Sequence, residues 1–119
     1  MEEDALNFLL ETVDDVKVLR LKEQRLDSVV APDLKAQILV LLSDDPDAKI
    51  IIDLGETVYA DSSGLGSLLF GLRQARDQGA KFAICGAQER IKSLIQIAQL
   101  GDVLTNYEDE YQAIAHLKG

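Results

Sequence analysis

The sequence predicts an α/β domain: a mixed, mostly parallel sheet of four to five strands, about four helices and an N-terminal β-hairpin. Three observations carry this. Short runs of strand formers alternate with segments whose apolar residues recur at helical spacing, the order of a parallel sheet with right-handed crossovers. The central run Lys49-Ile50-Ile51-Ile52-Asp53-Leu54 has consecutive apolar residues, as in a strand covered on both faces. At 119 residues and 47% hydrophobic, the chain suffices for a single core. One domain over 1–119 is expected, its core at about 8–117.

The elements follow in order. Phe8–Val13 and Val16–Leu21 are apolar-rich runs joined by Asp14-Asp15, a hairpin pattern in which the period-2 signal is only partial. Asp27 or Ser28 can cap a first helix that tolerates Pro32 in its first turn. Leu34, Ile38, Leu41 and Leu42 give it one buried face, and Ser43-Asp44-Asp45-Pro46 ends it. Strand 49–54 follows. Leu65, Leu68, Leu69, Leu72 and Ala75 mark a second helix, with Gly79 placed for a left-handed C-terminal cap. Residues 82–85 form another buried strand, closed by Gly86. Ile91, Leu94, Ile95 and Ala98 face a third helix ending at Gly101. A short strand at 103–105 leads to a last helix, capped by Asn106 with Asp109 in its first turn, whose Tyr111, Ile114 and Ala115 face inward.

Composition excludes several functions. Twenty-one acidic against 12 basic side chains give a net charge of −9, which argues against nucleic acid and against an anionic membrane surface. Cys85 is the only cysteine and is read as a core residue, so no intramolecular disulfide and no Cys/His zinc cluster is expected. The acidic start Met1-Glu2-Glu3-Asp4 lacks a signal-peptide pattern, and no apolar run approaches the ~20 residues that span a bilayer. A soluble cytoplasmic protein without direct membrane insertion is the expectation.

The chemistry concentrates in Asp61-Ser62-Ser63-Gly64-Leu65-Gly66, at a strand-to-helix turn. Ser62 or Ser63 can cap the helix, worth ~1 kcal/mol. A cap alone does not explain Gly64 and Gly66, which weaken a helix interior by roughly 1 kcal/mol each; close approach of a partner or tight packing on the sheet would. Ala60-Asp61-Ser62-Ser63-Gly64 resembles a nucleophile elbow with alanine in the first position, and Asp102 or Asp109 with His116 would complete the chain order of a triad. That histidine is the only one and sits near the C-terminus, in a chain about half the usual size of that fold. A dinucleotide fingerprint fails at Leu69, and Asp44, Asp45 and Asp47 lack the other positions of a calcium loop. A switch fits what remains: a hydroxyl at a helix start is exposed, and a phosphate there adds about −1.5 to −2 charge, partly accommodated by the free N–H groups. Tyr59 reads as loop support, Tyr107 and Tyr111 as docking the last helix, Asp53 as structural at a strand end and Glu56 as solvated. Leu69 and Phe70 serve either core or partner.

Taken together, Ile50-Ile51-Ile52-Asp53-Leu54 and Val58-Tyr59-Ala60-Asp61-Ser62-Ser63-Gly64-Leu65-Gly66 resemble the signature of STAS domains, nearest the bacterial anti-sigma factor antagonists. Arg25-Leu26-Asp27, Ala31-Pro32, Leu34, residues 81–86 and residues 94–100 extend the resemblance over roughly 8–117, with Gln24 standing where many members have glycine. The resemblance implies a single STAS-like domain and a non-enzymatic adaptor without metal or cofactor. It implies phosphorylation at Ser62, less so Ser63, by an anti-sigma factor serine kinase, and dephosphorylation by a metal-dependent serine/threonine phosphatase. Unphosphorylated protein would hold the kinase and free a sigma factor, through a partner surface of Asp27, Asp61, Ser62, Ser63, Gly64, Leu65 and Gly66. The alternative is a STAS subunit or scaffold of another assembly, a signalling complex or a lipid-transport ATPase partner.

Overall fold

The computed structural model describes residues 6–118. In chain order the elements are β1 (Phe8–Val13), β2 (Val16–Leu21), β3 (Arg25–Leu26), α1 (Ala31–Asp44), β4 (Lys49–Asp53), β5 (Tyr59–Ala60), α2 (Ser62–Asp77), β6 (Lys81–Cys85), α3 (Glu89–Ile97), β7 (Asn106–Tyr107) and α4 (Glu110–Lys118). The main sheet runs β1-β2-β4-β6-β7, antiparallel at β1 and parallel elsewhere. This is the expected α/β architecture.

The hairpin has the expected boundaries. Asp14 and Asp15 both take positive φ, 51° and 70°, as in the tight turns whose twist matches the flanking strands. The partial period in β2 has a physical reason, because β2 lies inside the sheet and both its faces are covered. Leu19 and Leu21 enter the larger core with Ile50 and Ile52 of β4, under Ile38 of α1 and Leu68 of α2. Val16 and Val18 point the other way and join Ile51, Ala83 and Cys85 beneath Ala113 and Leu117 of α4. Cys85 is fully buried, and burial raises its thiol pKa, so it is a core residue.

Several local expectations change. Residue Val30, not Asp27 or Ser28, precedes the first turn of α1 and offers no side-chain cap. Asp27 is already committed, its Oδ1 accepting from Val29 N–H at 3.1 Å and its carbonyl from Ala31 N–H at 2.8 Å. The last strand lies at Asn106–Tyr107 rather than 103–105, and Asn106 is therefore not a helix cap. Its Oδ1 accepts from Ala87 N–H at 3.1 Å, while Asp109 caps α4 by accepting from Gln112 N–H at 2.9 Å. This later start shifts the buried face of α4 to Ala113 and Leu117; Ile114 is half-buried, Ala115 is exposed, and Tyr111 is 86% exposed. Helix α3 stops at Ile97, with Gln99 in the left-handed region, and Ala98 is exposed. Gly79 does take positive φ after α2.

Among the described residues helix α4 alone covers its face of the sheet, and one ion network fastens it. Arg20 of β2 donates to both Glu110 oxygens, at 2.6 and 2.9 Å, and to Glu11 of β1 at 2.7 Å. A forked guanidinium–carboxylate pair is the strong form of such contacts. These bonds raise the Arg20 pKa, and Arg20 holds the Glu110 carboxyl down at about 2. Asp53, at the end of β4, faces the same carboxylate. Burial first, and then Glu110, push its pKa up to about 6 against an ordinary 3.8. Its Oδ1 accepts from Gly55 N–H at 2.8 Å, the structural role expected of it.

A raised carboxyl pKa makes the native state bind a proton that the unfolded chain releases, so Asp53 lowers stability as pH rises from about 4 to about 6. Glu110 acts oppositely: its contribution is present above about 4.5 and is lost as pH falls toward 2. Asp53→Asn keeps the acceptor for Gly55 and removes the charge. Thermal unfolding should show a Tm gain of about 2–4 °C near pH 7.5, kept small by solvent screening, that largely vanishes near pH 5.

Candidate functional site

After β4 the chain is laid onto the β2–α1 connection by a series of hydrogen bonds. The fully buried hydroxyl of Thr57 donates to the Glu23 carbonyl at 2.8 Å. The Gln24 carbonyl accepts from Val58 and Tyr59 N–H at 2.8 and 3.1 Å, and the Leu26 carbonyl accepts from Asp61 N–H at 3.3 Å. Parallel pairing of β3 with β5 sets Arg25 opposite Tyr59 and Leu26 opposite Ala60. These two-residue strands are too short to leave a periodic signal in the sequence.

Asp61 stands at the end of this seam with extended backbone. Its Oδ1 accepts from Gly64 N–H at 2.9 Å and its carbonyl from Leu65 N–H at 2.9 Å. Asp61 is thus the helix cap, in place of Ser62 or Ser63. A side chain must sit before the first turn to reach back to its N–H groups, and both serines lie inside that turn. The aspartate relieves them of the capping role, and both are exposed. Ser67, by contrast, is buried and donates to the Gly64 carbonyl at 2.6 Å.

The two glycines part company. A Cβ on Gly64 would lie 2.7 Å from the Leu26 carbonyl carbon and closer still to its oxygen, so this glycine lets α2 seat on β3. A Cβ on Gly66 would meet no atom within 4 Å, so internal packing does not require that glycine. Leu65 is buried in the larger core and supports the turn from below. Of the residues expected at the partner surface, Ser62 and Ser63 are exposed, Asp61 and Gly66 are half-exposed, and Gly64 and Leu65 lie underneath.

Asp27 is a corner of the same surface. Burial favours its neutral form, but the N–H groups of Val29 and Val30 and the Arg25 guanidinium hold its carboxyl below the ordinary value. Arg25 donates to it at 3.3 Å and lies over the Tyr59 ring, 4.2 Å from the centroid; Arg90 lies 6.0 Å from the same centroid. Tyr59 is thus a platform for two cations next to the motif. Sequence patterns point to neither this platform nor Arg90, since α3 is brought there only by the fold. Val29, 61% exposed, and Val58, 44% exposed, add apolar area on the two connections that meet at the turn. Glu56 is not merely solvated: it pairs with Lys22 at 2.6 Å.

The nucleophile-elbow arrangement does not assemble. His116 lies on α4 against the Tyr107 ring, centroids 5.1 Å apart, on the sheet face opposite α2. Tyr107 thereby helps dock α4, while the exposed Tyr111 does not. Among the described residues no three His, Cys, Asp or Glu side chains gather to hold a metal ion, and no helix is long and apolar enough to cross a membrane.

Comparison with known proteins places residues 7–113 in register with the STAS domain family. The anti-sigma F factor antagonist of Paenibacillus polymyxa is 26% identical over 69 residues, 58% of this chain and 59% of that relative, so the match spans under two thirds of it. An anti-sigma factor antagonist from Mycobacterium paratuberculosis superposes with a TM-score of 0.83 at 22% identity, covering 98% of this chain and 97% of that one. The Bacillus cell fate determinant SpoIIAA in its phosphorylated form superposes with a TM-score of 0.69 at 23% identity, covering 92% and 98%. Likeness at such identities establishes the shared fold.

The two glycines should respond to alanine with opposite signs. Gly64→Ala should cost about 2–3 kcal/mol through forced repacking against Leu26. Gly66→Ala should be neutral or stabilise by up to about 1 kcal/mol through helix propensity. Urea unfolding of both variants measures this, and equal effects would contradict the assignment.

Proposed function

The chain belongs to the STAS domain family, and from that premise we propose that it is an anti-sigma factor antagonist, a protein-binding module switched by phosphorylation of Ser62. The observation that carries this reading is the position of Ser62: exposed, first in its helix, and free of structural duty because Asp61 makes the cap. A kinase can reach such a hydroxyl without unfolding anything. The names of the relatives from Paenibacillus and Mycobacterium support the function, and the phosphorylated form recorded for SpoIIAA supports the switch.

In this reading the unmodified protein holds an anti-sigma factor serine kinase against the turn, with Asp27, Ser62, Ser63 and Gly66 at the contact and Val29 and Val58 beside it. Open space at Gly66 admits partner backbone. The kinase supplies the ATP, and a metal-dependent phosphatase supplies the metal, so the chain itself needs no cofactor and performs no catalysis. A phosphate on Ser62 takes the net charge from −9 to about −11. Asp61 repels it and keeps it at the surface, while the helix N-terminus offsets part of the local cost by ~0.3–1 kcal/mol. The fold tolerates the group, whereas an unpaired charge in a docked interface costs several kcal/mol.

Ser62→Asp should therefore melt within about 2 °C of the unmodified protein yet bind the kinase at least about tenfold more weakly, ~1.4 kcal/mol. Ser62→Ala should bind constitutively. Pull-down with and without ATP, followed by mass spectrometry of the 61–73 peptide, should place the phosphate on Ser62. Phosphate on Ser63 alone, or full-affinity binding by Ser62→Asp, contradicts the reading.

A further inference from the structure

Strand β7 covers only the end of β6: Ile84 pairs with Asn106 and Cys85 with Tyr107. The stretch from Lys81 to Ala83 is left as bare sheet edge. The ladder shows which backbone groups point outward. Lys81 N–H donates to the Ala48 carbonyl and the Cys85 carbonyl accepts from Leu54, both toward β4, whereas Ile84 N–H donates outward to Thr105. By alternation Phe82 also faces outward, and among the described residues its N–H and C=O find no backbone partner on that edge.

Alongside lies an open cavity of about 490 Å³ between the end of α2 and α4, with Leu72, Ala75, Phe82 and Leu117 among its lining. Among the described residues its basic side chains are Arg76, Lys81 and His116. Among the described residues no carboxylate lines it, although the chain carries 21 acidic residues against 12 Lys and Arg. Lys81 also donates to the Leu117 carbonyl at 3.3 Å, and Arg76 makes no ion pair among the described residues.

We propose that this edge docks an extended acidic segment of a partner protein, which takes the place of the missing half of β7. The Phe82 N–H and C=O hold its backbone, alternate apolar side chains fill the cavity, and its carboxylates meet Arg76 and Lys81. Charge complementarity selects this occupant. A second copy of the chain would bring −9 of its own, and its exposed edge strand β1 offers one carboxylate, Glu11, already held by Arg20. The groove lies at the far end of α2 from Ser62, about 20 Å away at 1.5 Å per residue, so it is separate from the phosphorylation switch.

The test titrates the full chain with the acetylated, amidated peptide Val-Glu-Val-Glu-Val, followed by amide NMR and hydrogen exchange. The Phe82 amide should shift and exchange at least about tenfold more slowly. The same peptide with Lys for Glu should bind at least about tenfold more weakly, as should Arg76→Glu, whose exposed side chain leaves the fold intact. Any of four results overturns the proposal: an unperturbed Phe82, equal binding of the lysine peptide, the same shifts on raising protein concentration alone, or the same shifts with inorganic phosphate alone.

Discussion

The seating of Gly64 on the carbonyl of Leu26 is the contact on which the candidate surface around Ser62 depends. It brings the start of α2 against β3 more closely than any side chain would permit. The same Leu26 carbonyl accepts from Asp61 N–H, and Asp61 in turn caps the helix through Gly64 N–H. Three residues thus close a ring in which each fixes the next. Thr57, Gln24 and the β3–β5 pair extend that ring down the seam. Ser62 is carried on a support in which it takes no part, and a group added to it strains nothing beneath.

The sheet separates two tasks. Helices α1, α2 and α3 pack on one face around the larger core, and α2 carries the Ser62 turn. Helix α4 closes the other face, held by the Arg20–Glu110 fork. The carboxyls of Asp53 and Glu110 that respond to pH belong to this second layer. Ser62 starts α2, which packs on the sheet face opposite α4.

Much of this was legible in the sequence because it rests on repetition or on dipeptides with a mechanism. Ile50-Ile51-Ile52 announced a doubly covered strand, Asp14-Asp15 a tight turn, and Leu34, Ile38, Leu41 and Leu42 a buried helix face. The motif 61–66 marked the strand-to-helix turn between β5 and α2. What was misplaced were single-residue roles decided by tertiary contact. Asp27 resembles a cap but is spent on the turn before α1, Asn106 on Ala87, and the phase of α4 follows from that displacement. Strands of two residues carry no period, so β3, β5 and the seam between them were invisible. So were the Tyr59 platform and the opposite reasons for Gly64 and Gly66, which depend on segments distant in the chain.

That Ser62 can change charge while its support stays fixed is the premise of the proposed switch. It is tested most directly by placing phosphoserine at position 62 and measuring amide hydrogen exchange of Asp61 and Gly64 together with partner affinity. Protection of both amides should stay within about twofold of the unmodified chain, while affinity for the kinase falls at least about tenfold. Loss of protection at Asp61 and Gly64 in step with the loss of binding would show that the phosphate acts by opening the turn, and would contradict it.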